Sequence, residues 1–329
     1  MTGIKMVNLD LKDRKILYHL DLNCRQSNAQ IGKKVGLSKQ VVDYRIKRME
    51  EEGIIENYWT AIDTFKLGYQ VLRIYLNFQD VNNEIKNKII EHFINYKYIW
   101  SVASKKGPFD FSVVLWVNNI NEFYHFWKKT LLIFEKYFVN HSVSIYIQSC
   151  NYIKSFLLPD VNIKSNRKMY ETICTGKTVT IDEIDLKILN EIAVNARVPF
   201  INLAKKFNCS SQAVNYRIKN LIKNNIIQAF RINIDYSKLG FHNYKLDIYL
   251  KKYSQRDSII NHLEKKSNML VLNVAVGWAD IEPELVVKNI DELNEIINEL
   301  DSKFPEAIRK QSFSLTEIQH KVRWLPVLE

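Results

Sequence analysis

Residues 23–55 read NCRQSNAQIGKKVGLSKQVVDYRIKRMEEEGII, and residues 195–227 read NARVPFINLAKKFNCSSQAVNYRIKNLIKNNII. Laid over each other at an offset of 172, they form part of an ungapped match of 9–68 with 181–240 in which 23 of 60 positions are identical. YRIK at 44–47 recurs whole at 216–219. Beyond Gly68 and Gly240 identity fades, but RIYL at 73–76 answers DIYL at 247–250 after a two-residue slip. A period this long is a domain pair rather than a solenoid unit. The chain is therefore read as a tandem duplication of a two-domain protein.

Within each front piece the apolar residues fall at helical spacing. Ile16, Leu17 and Leu20 mark a first helix, matched by Ile184, Ile188, Leu189 and Ile192, with Asp10 or Asp182 as its start signal. A second short helix carries Ile31 and Val35, or Leu203 and Phe207, and Pro199 suits a helix opening. Gly36 and Asn208 then supply residue types that tolerate a left-handed backbone, and Ser38 and Ser210 cap a third helix. That helix buries Val42, Ile46 and Met49, or Val214, Ile218 and Leu221. Extended segments running to Ile62-Asp63 and Ile234-Asp235 read as a wing or connecting ribbon.

The other face of the third helix carries Gln40, Asp43, Tyr44 and Lys47, or Gln212, Asn215, Tyr216 and Lys219. Two helices joined by a tight turn, the second presenting amide, phenol and ammonium groups, describe a helix-turn-helix. A groove-reading helix needs such groups, because Gln and Asn pair with adenine while Lys and Arg serve guanine or phosphate. A merely solvated face would carry the same residue types in one copy; their repetition favours DNA. The candidate contacts are Ser38, Lys39, Gln40, Tyr44, Arg45 and Lys47 in the first copy. Ser210, Ser211, Gln212, Asn215, Tyr216, Arg217 and Lys219 are their counterparts in the second. Arg45 and Arg217 adjoin buried positions, so each either binds phosphate or braces the domain. Asp43 and the run Glu50-Glu51-Glu52 should make the first copy grip DNA less well than the second.

These two runs, with Asp, Ile-Leu, Asn-x-Arg, the turn serine, Arg-Ile and the closing Leu-Gly in both, resemble the Lrp/AsnC (leucine-responsive, feast/famine) transcription regulators. The resemblance implies an N-terminal winged helix-turn-helix and a C-terminal α/β effector and oligomerisation domain. It also aligns Gly107 and Asp110, and Gly277 and Asp280, with the family's loop beside a small-molecule effector site such as one for an amino acid. A β-turn whose Asp bonds its own backbone accounts for the same GxxD. The intervening Pro108-Phe109 and Trp278-Ala279 differ, which weighs against a shared ligand.

The back piece reads independently as strand, helix, strand, strand, helix, strand, the ferredoxin-like βαββαβ order. Leu72, Ile74, Leu76 and Phe78 alternate with polar residues, as do Tyr244, Leu246, Ile248 and Leu250. The expected architecture is α+β: winged helix-turn-helix 1–61, ferredoxin-like domain 62–158, linker 159–180, then 181–233 and 234–329 as the second pair. Each sheet leaves one face open, so the two copies are expected to cover each other as a fused pseudo-dimer facing a pseudo-palindromic site.

Composition bounds the alternatives. The 329 residues are 47% hydrophobic and 25% charged, as in soluble globular proteins. No apolar run nears the roughly 18 residues of a membrane helix, and the start MTGIKMVNLDLKDRK lacks a secretory stretch, so a cytoplasmic location is expected. Four scattered cysteines write neither a disulfide framework nor a zinc ribbon. Nine dispersed glycines exclude a phosphate cradle, and His92, His125, His141, His242, His262 and His320 lack metal spacing, so no cofactor or metal is expected. The net charge of +11 suits a polyanionic partner. A DNA-binding regulator rather than an enzyme is the leading reading. A sirohaem decarboxylase-like tetrapyrrole enzyme and a sequence-neutral chromosome-packing protein are the competitors, and the possibility of homo-oligomers beyond the pseudo-dimer stays open.

Overall fold

The computed structural model describes residues 7–158 and 167–327. Each copy opens with three helices and a strand: α1 Leu11–Leu22, α2 Asn28–Val35, α3 Lys39–Glu51 and β1 Ile55–Ile62 in the first. In the second these are α6 Glu183–Val194, α7 Phe200–Lys206, α8 Ser211–Lys223 and β7 Ile227–Ile234. Asp10 and Asp182 cap the first helices, Pro199 opens α7, and Ser38 and Ser210 accept from the backbone of Val41 and Ala213. Gly36 and Asn208 both take positive φ at the turn. The local signals thus act where the sequence places them.

The extended segments are not separate wings. β1 and β7 pair antiparallel with each other across the copies, making one shared ribbon. The first helices then cross over: Cys24 N–H donates to Phe230 O, and Ala196 N–H to Tyr58 O, each at 2.9 Å. One apolar core, including Ile16, Met49, Ile188, Leu221, Ile227 and Ile232, runs through both helix-turn-helix units.

The back pieces follow the expected order. The first holds β2 Gln70–Phe78, α4 Asn83–Ile94, β3 Ile99–Lys106, β4 Phe111–Val117, α5 Ile120–Phe134 and β5 Phe138–Tyr152. The second holds β8 His242–Leu250, α9 Arg256–Leu263, β9 Met269–Val276, β10 Glu282–Val287, α10 Ile290–Lys303 and β11 Ile308–Val322. Apolar residues of alternate register pack outward on the helices, Leu72, Ile74 and Val113 under α4 and α5, and Leu246, Ile248 and Leu285 under α9 and α10.

Two expectations need correcting. The open faces do not stack as two facing sheets; the sheets join edge to edge, β3 to β11 and β5 to β9. The strand order β2-β4-β3-β11-β8-β10-β9-β5 closes on itself through β2–β5, giving an eight-stranded antiparallel barrel. Closure comes from the fifteen-residue β5 and β11, each long enough to serve both sheets, with register shifts that bend them. The open faces therefore line a lumen. The segment 159–180, read as a linker, also contains a strand, β6 Lys168–Ile173, paired with β5; residues 159–166 lie outside the described residues. Among the described residues no helix is long and apolar enough to cross a membrane.

Candidate DNA-binding surface

The recognition helices α3 and α8 each bury one stripe and leave the rest to solvent. In α3, Val42, Ile46 and Met49 are buried while Ser38, Lys39, Gln40, Tyr44 and Lys47 are exposed. In α8, Val214, Ile218 and Leu221 are buried; Ser210, Gln212, Tyr216 and Lys219 are exposed, and Ser211 and Asn215 half-buried beside them. Tyr44 and Tyr216 are each 67% exposed, a large apolar ring held in water at the same point of both helices.

Arg45 and Arg217 are placed differently. Arg45 donates to Asp10 at 2.7 Å and Asp13 at 2.8 Å, and Arg217 to Asp182 at 2.6 Å and Asp185 at 2.9 Å. The bond to Asp10 raises Arg45 above its ordinary value with Asp13 adding to it, and Asp185 then Asp182 do the same for Arg217. Of the two roles open to them, these bonds describe bracing of the third helix on the first.

The copies differ in charge. Lys47 pairs with Asp43 at 3.0 Å, and Asp43 also accepts from Asn28 Nδ2 at 3.0 Å. The bond to Lys47 lowers the Asp43 carboxyl, and the ammonium is raised in turn. In α8 Asn215 replaces that carboxylate, so Lys219 has no such partner on its own helix. Glu50 accepts from the Tyr58 hydroxyl at 2.5 Å, keeping one acidic group beside the end of α3.

Two arginines that the repeat exposed, without revealing their task, lock the helix-turn-helix units together. Arg25 donates to Ala196 O at 2.5 Å and Val198 O at 3.1 Å, and its guanidinium lies over the Phe200 ring at 4.3 Å. Arg197 reaches back to the Tyr58 hydroxyl at 3.3 Å and Asn28 Oδ1 at 3.1 Å. Beneath them, buried Asp21 receives Arg231 at 2.6 and 3.0 Å and Lys154 at 2.5 Å. Asp21 matches Ala193 and Arg231 matches Trp59 in the repeat, so only one side has this pair. Trp59, directly across the ribbon from Arg231 with the guanidinium 6.0 Å from its ring, stacks on Trp324 with centroids 3.6 Å apart.

A family of winged helix-turn-helix DNA-binding domains matches residues 9–56 and again 181–228. The HTH-type transcriptional regulator LrpA of Pyrococcus horikoshii is 30% identical over 111 residues, covering 34% of this chain and 77% of the relative. The LrpA regulator of Bacillus subtilis is 34% identical over 98 residues, 30% of this chain and 71% of the relative. The chain belongs to the Lrp/AsnC family of transcriptional regulators, in tandem-duplicated form. Over the whole length the solved siroheme decarboxylase NirDL superposes with a TM-score of 0.62, covering 94% of this chain and 92% of its own. At 10% identity that likeness is one of fold alone.

In this Lrp/AsnC chain the GxxD residues sit at the barrel seams. Asp110 accepts from Phe78 N–H at 2.8 Å and Asp280 from Leu250 N–H at 2.7 Å. These backbones lie on β2 and β8, about thirty residues away, so the bonds are not local turns. Gly107 and Gly277 have positive φ, and a Cβ on them would stand 2.5 Å from Phe313 O and 3.0 Å from Val143 O of the opposite copy. Phe109 and Trp278 fold inward and meet over Tyr75, their centroids 5.0 Å apart. Among the described residues no group of three metal-ligating side chains gathers.

Proposed function

We propose that this Lrp/AsnC chain is a sequence-specific, cytoplasmic DNA-binding regulator that acts as a fused dimer. Its two recognition helices would enter successive major grooves of a pseudo-palindromic site, about 34–36 Å apart. The observation that carries the reading is the exposed pair of matching polar faces on units sharing one core, one ribbon and a reciprocal arginine clasp. In this reading the second copy, with Gln212, Asn215, Tyr216 and Lys219, supplies most base contacts, and Lys39 and Ser211 stand beside phosphate.

Salt-titrated anisotropy on duplex from upstream of the chain's own gene, against a scrambled duplex, tests it. A preference of about a thousandfold or more is expected of a specific regulator. Equal, steeply salt-dependent binding to both would replace it with chromosome packing. Absence of DNA binding at low salt, with a tetrapyrrole bound, would replace it with an enzyme.

Three substitutions sharpen the test. Asn215→Ala or Gln212→Ala should cost about 1–3 kcal/mol of discrimination per bidentate contact, relaxing preference in one half-site. Unchanged preference would remove these residues from base reading. Asp43→Asn should tighten binding at low salt by releasing Lys47 and removing a repelling charge, with the gain fading as salt rises. Looser binding would show instead that Asp43 contacts DNA directly.

A further inference from the structure

The barrel is not filled. A cavity of about 540 Å³ extends from its lumen to the inner face of the shared ribbon, where Ala61 and Asn233 line it. Eight-stranded barrels have interiors that side chains just fill or that hold one small ligand, and this volume lies in the ligand-pocket range. The space exists because Ser101, Ala103, Ser112 and Ser149 are the inward residues where larger ones would close it.

Its walls are polar and unequal. Arg73 and Lys245 converge on Glu282 at 2.6 and 2.7 Å, Lys245 also pairs with Asp247, and these charges are internally balanced. Lys105 and Glu284 stand outside this set, neither of them in an ion pair among the described residues. The Lys105 ammonium is met there only by Thr316 Oγ1 at 2.6 Å. Burial pushes it down to about 8, with the Glu284 carboxylate of the same cavity opposing the shift and Lys245 and Arg73 adding to it. At the equivalent place in the second copy stands Ala275, so the lumen has one such lysine, not two. The cavity's aromatic wall is formed by Trp100, parallel to Trp116 at 5.8 Å, and Tyr146, 6.4 Å from Trp100.

We propose that the barrel lumen binds one small aromatic carboxylate, its anionic group seated on Lys105 and its ring against Trp100 and Tyr146. The ligand gives the Lys105 ammonium an anionic group bonded directly to it, which none of the described carboxylates supplies, and occupies space that no side chain fills. It touches barrel and ribbon together, so its presence bears on the spacing of the helix-turn-helix units. That last consequence rests on the DNA-binding reading; the binding itself does not.

The test uses the full chain and 2-naphthoate as probe, monitored by titration calorimetry, with 2-naphthol as the uncharged comparator. One saturable site per chain is expected, weakened at least about tenfold for 2-naphthol and in both Lys105→Met and Lys105→Gln, as for loss of a charge-assisted hydrogen bond. Both variants should keep the unfolding midpoint, since each removes a cation that, among the described residues, makes no ion pair and bonds only Thr316; the one that keeps it is the one to read. Absence of saturable uptake, or unchanged uptake in the variants, overturns the proposal. Anisotropy on the same preparation separates the claims. Naphthoate binding without DNA binding leaves the site standing and removes the regulator, and DNA binding without naphthoate does the reverse.

Discussion

Cutting the chain into 1–158 and 159–329 should give two halves that neither fold singly nor pair with themselves, and that regain structure only when mixed. Each half alone has open strand edges where β3–β11 and β5–β9 join, and half of the core running through both helix-turn-helix units. Self-pairing is blocked by charge. Two copies of 1–158 would enclose two each of Arg73 and Lys105 without Asp247, Glu282 and Glu284, the barrel-strand carboxylates that the second copy supplies. Two copies of 159–329 would bring together two each of Asp247, Glu282 and Glu284 against only two of Lys245. Buried like charges of this kind cannot be neutralised cheaply. DNA affinity of either half should fall by about 10²–10⁴, the factor that linkage of two modules confers. Light scattering and anisotropy on the separate and mixed halves check this. A folded homodimer of 1–158 binding DNA like the full chain would refute it.

Asp21→Ala should be the most damaging single change, costing about 3–5 kcal/mol because it strands Arg231 and Lys154 in the core. Burial alone would raise the Asp21 carboxyl, but Arg231 and Lys154 hold it below its ordinary value. Its contribution is therefore complete above the unfolded value of 3.8 and is lost as pH falls through the lower folded one. Burial, with Arg231 beside it, pushes Lys154 down to about 8 from 10.5. Between those values the unfolded chain binds more protons than the folded one, so this group's contribution to stability rises with pH. Because Asp21 holds the Lys154 proton on, its removal lowers Lys154 further. The deficit of Asp21→Ala should therefore be widest on the acid side of about pH 8, narrowing in strong acid as wild type loses the pair and again as pH rises to about 8, where wild-type Lys154 sheds its own proton. Denaturant unfolding across that range would show it; a deficit under about 1 kcal/mol at neutral pH would mean that the network is dispensable.

Much of this was legible in the sequence because it is local. Capping by Asp10, Ser38 and Ser210, the turns at Gly36 and Asn208, and the alternation from Leu72 to Phe78 are decided within a few residues, and the fold order comes with them. The exposed polar face of α3 and of α8 was legible for the same reason, since exposure is set by position on one helix. What escaped is long-range. Arg73, Lys245 and Glu282 occupy the polar phase of their strands, and alternation alone does not say which charges barrel closure will bring together. Arg25 and Arg197 were visible as a repeat, but their acceptors belong to the other copy, some 170 residues away. The seam strands and β6 depend on register shifts that no periodicity announces.

If the chain acts on DNA as proposed, the differences between its copies bear on genes. A symmetric dimer reads an operator identically when turned end for end. This chain, with Asp43 and Glu50 at one end and Asn215 and Lys223 at the other, has a front and a back. Bound between divergent promoters, it would present a different face to each polymerase, so the direction of control would be written into a single polypeptide.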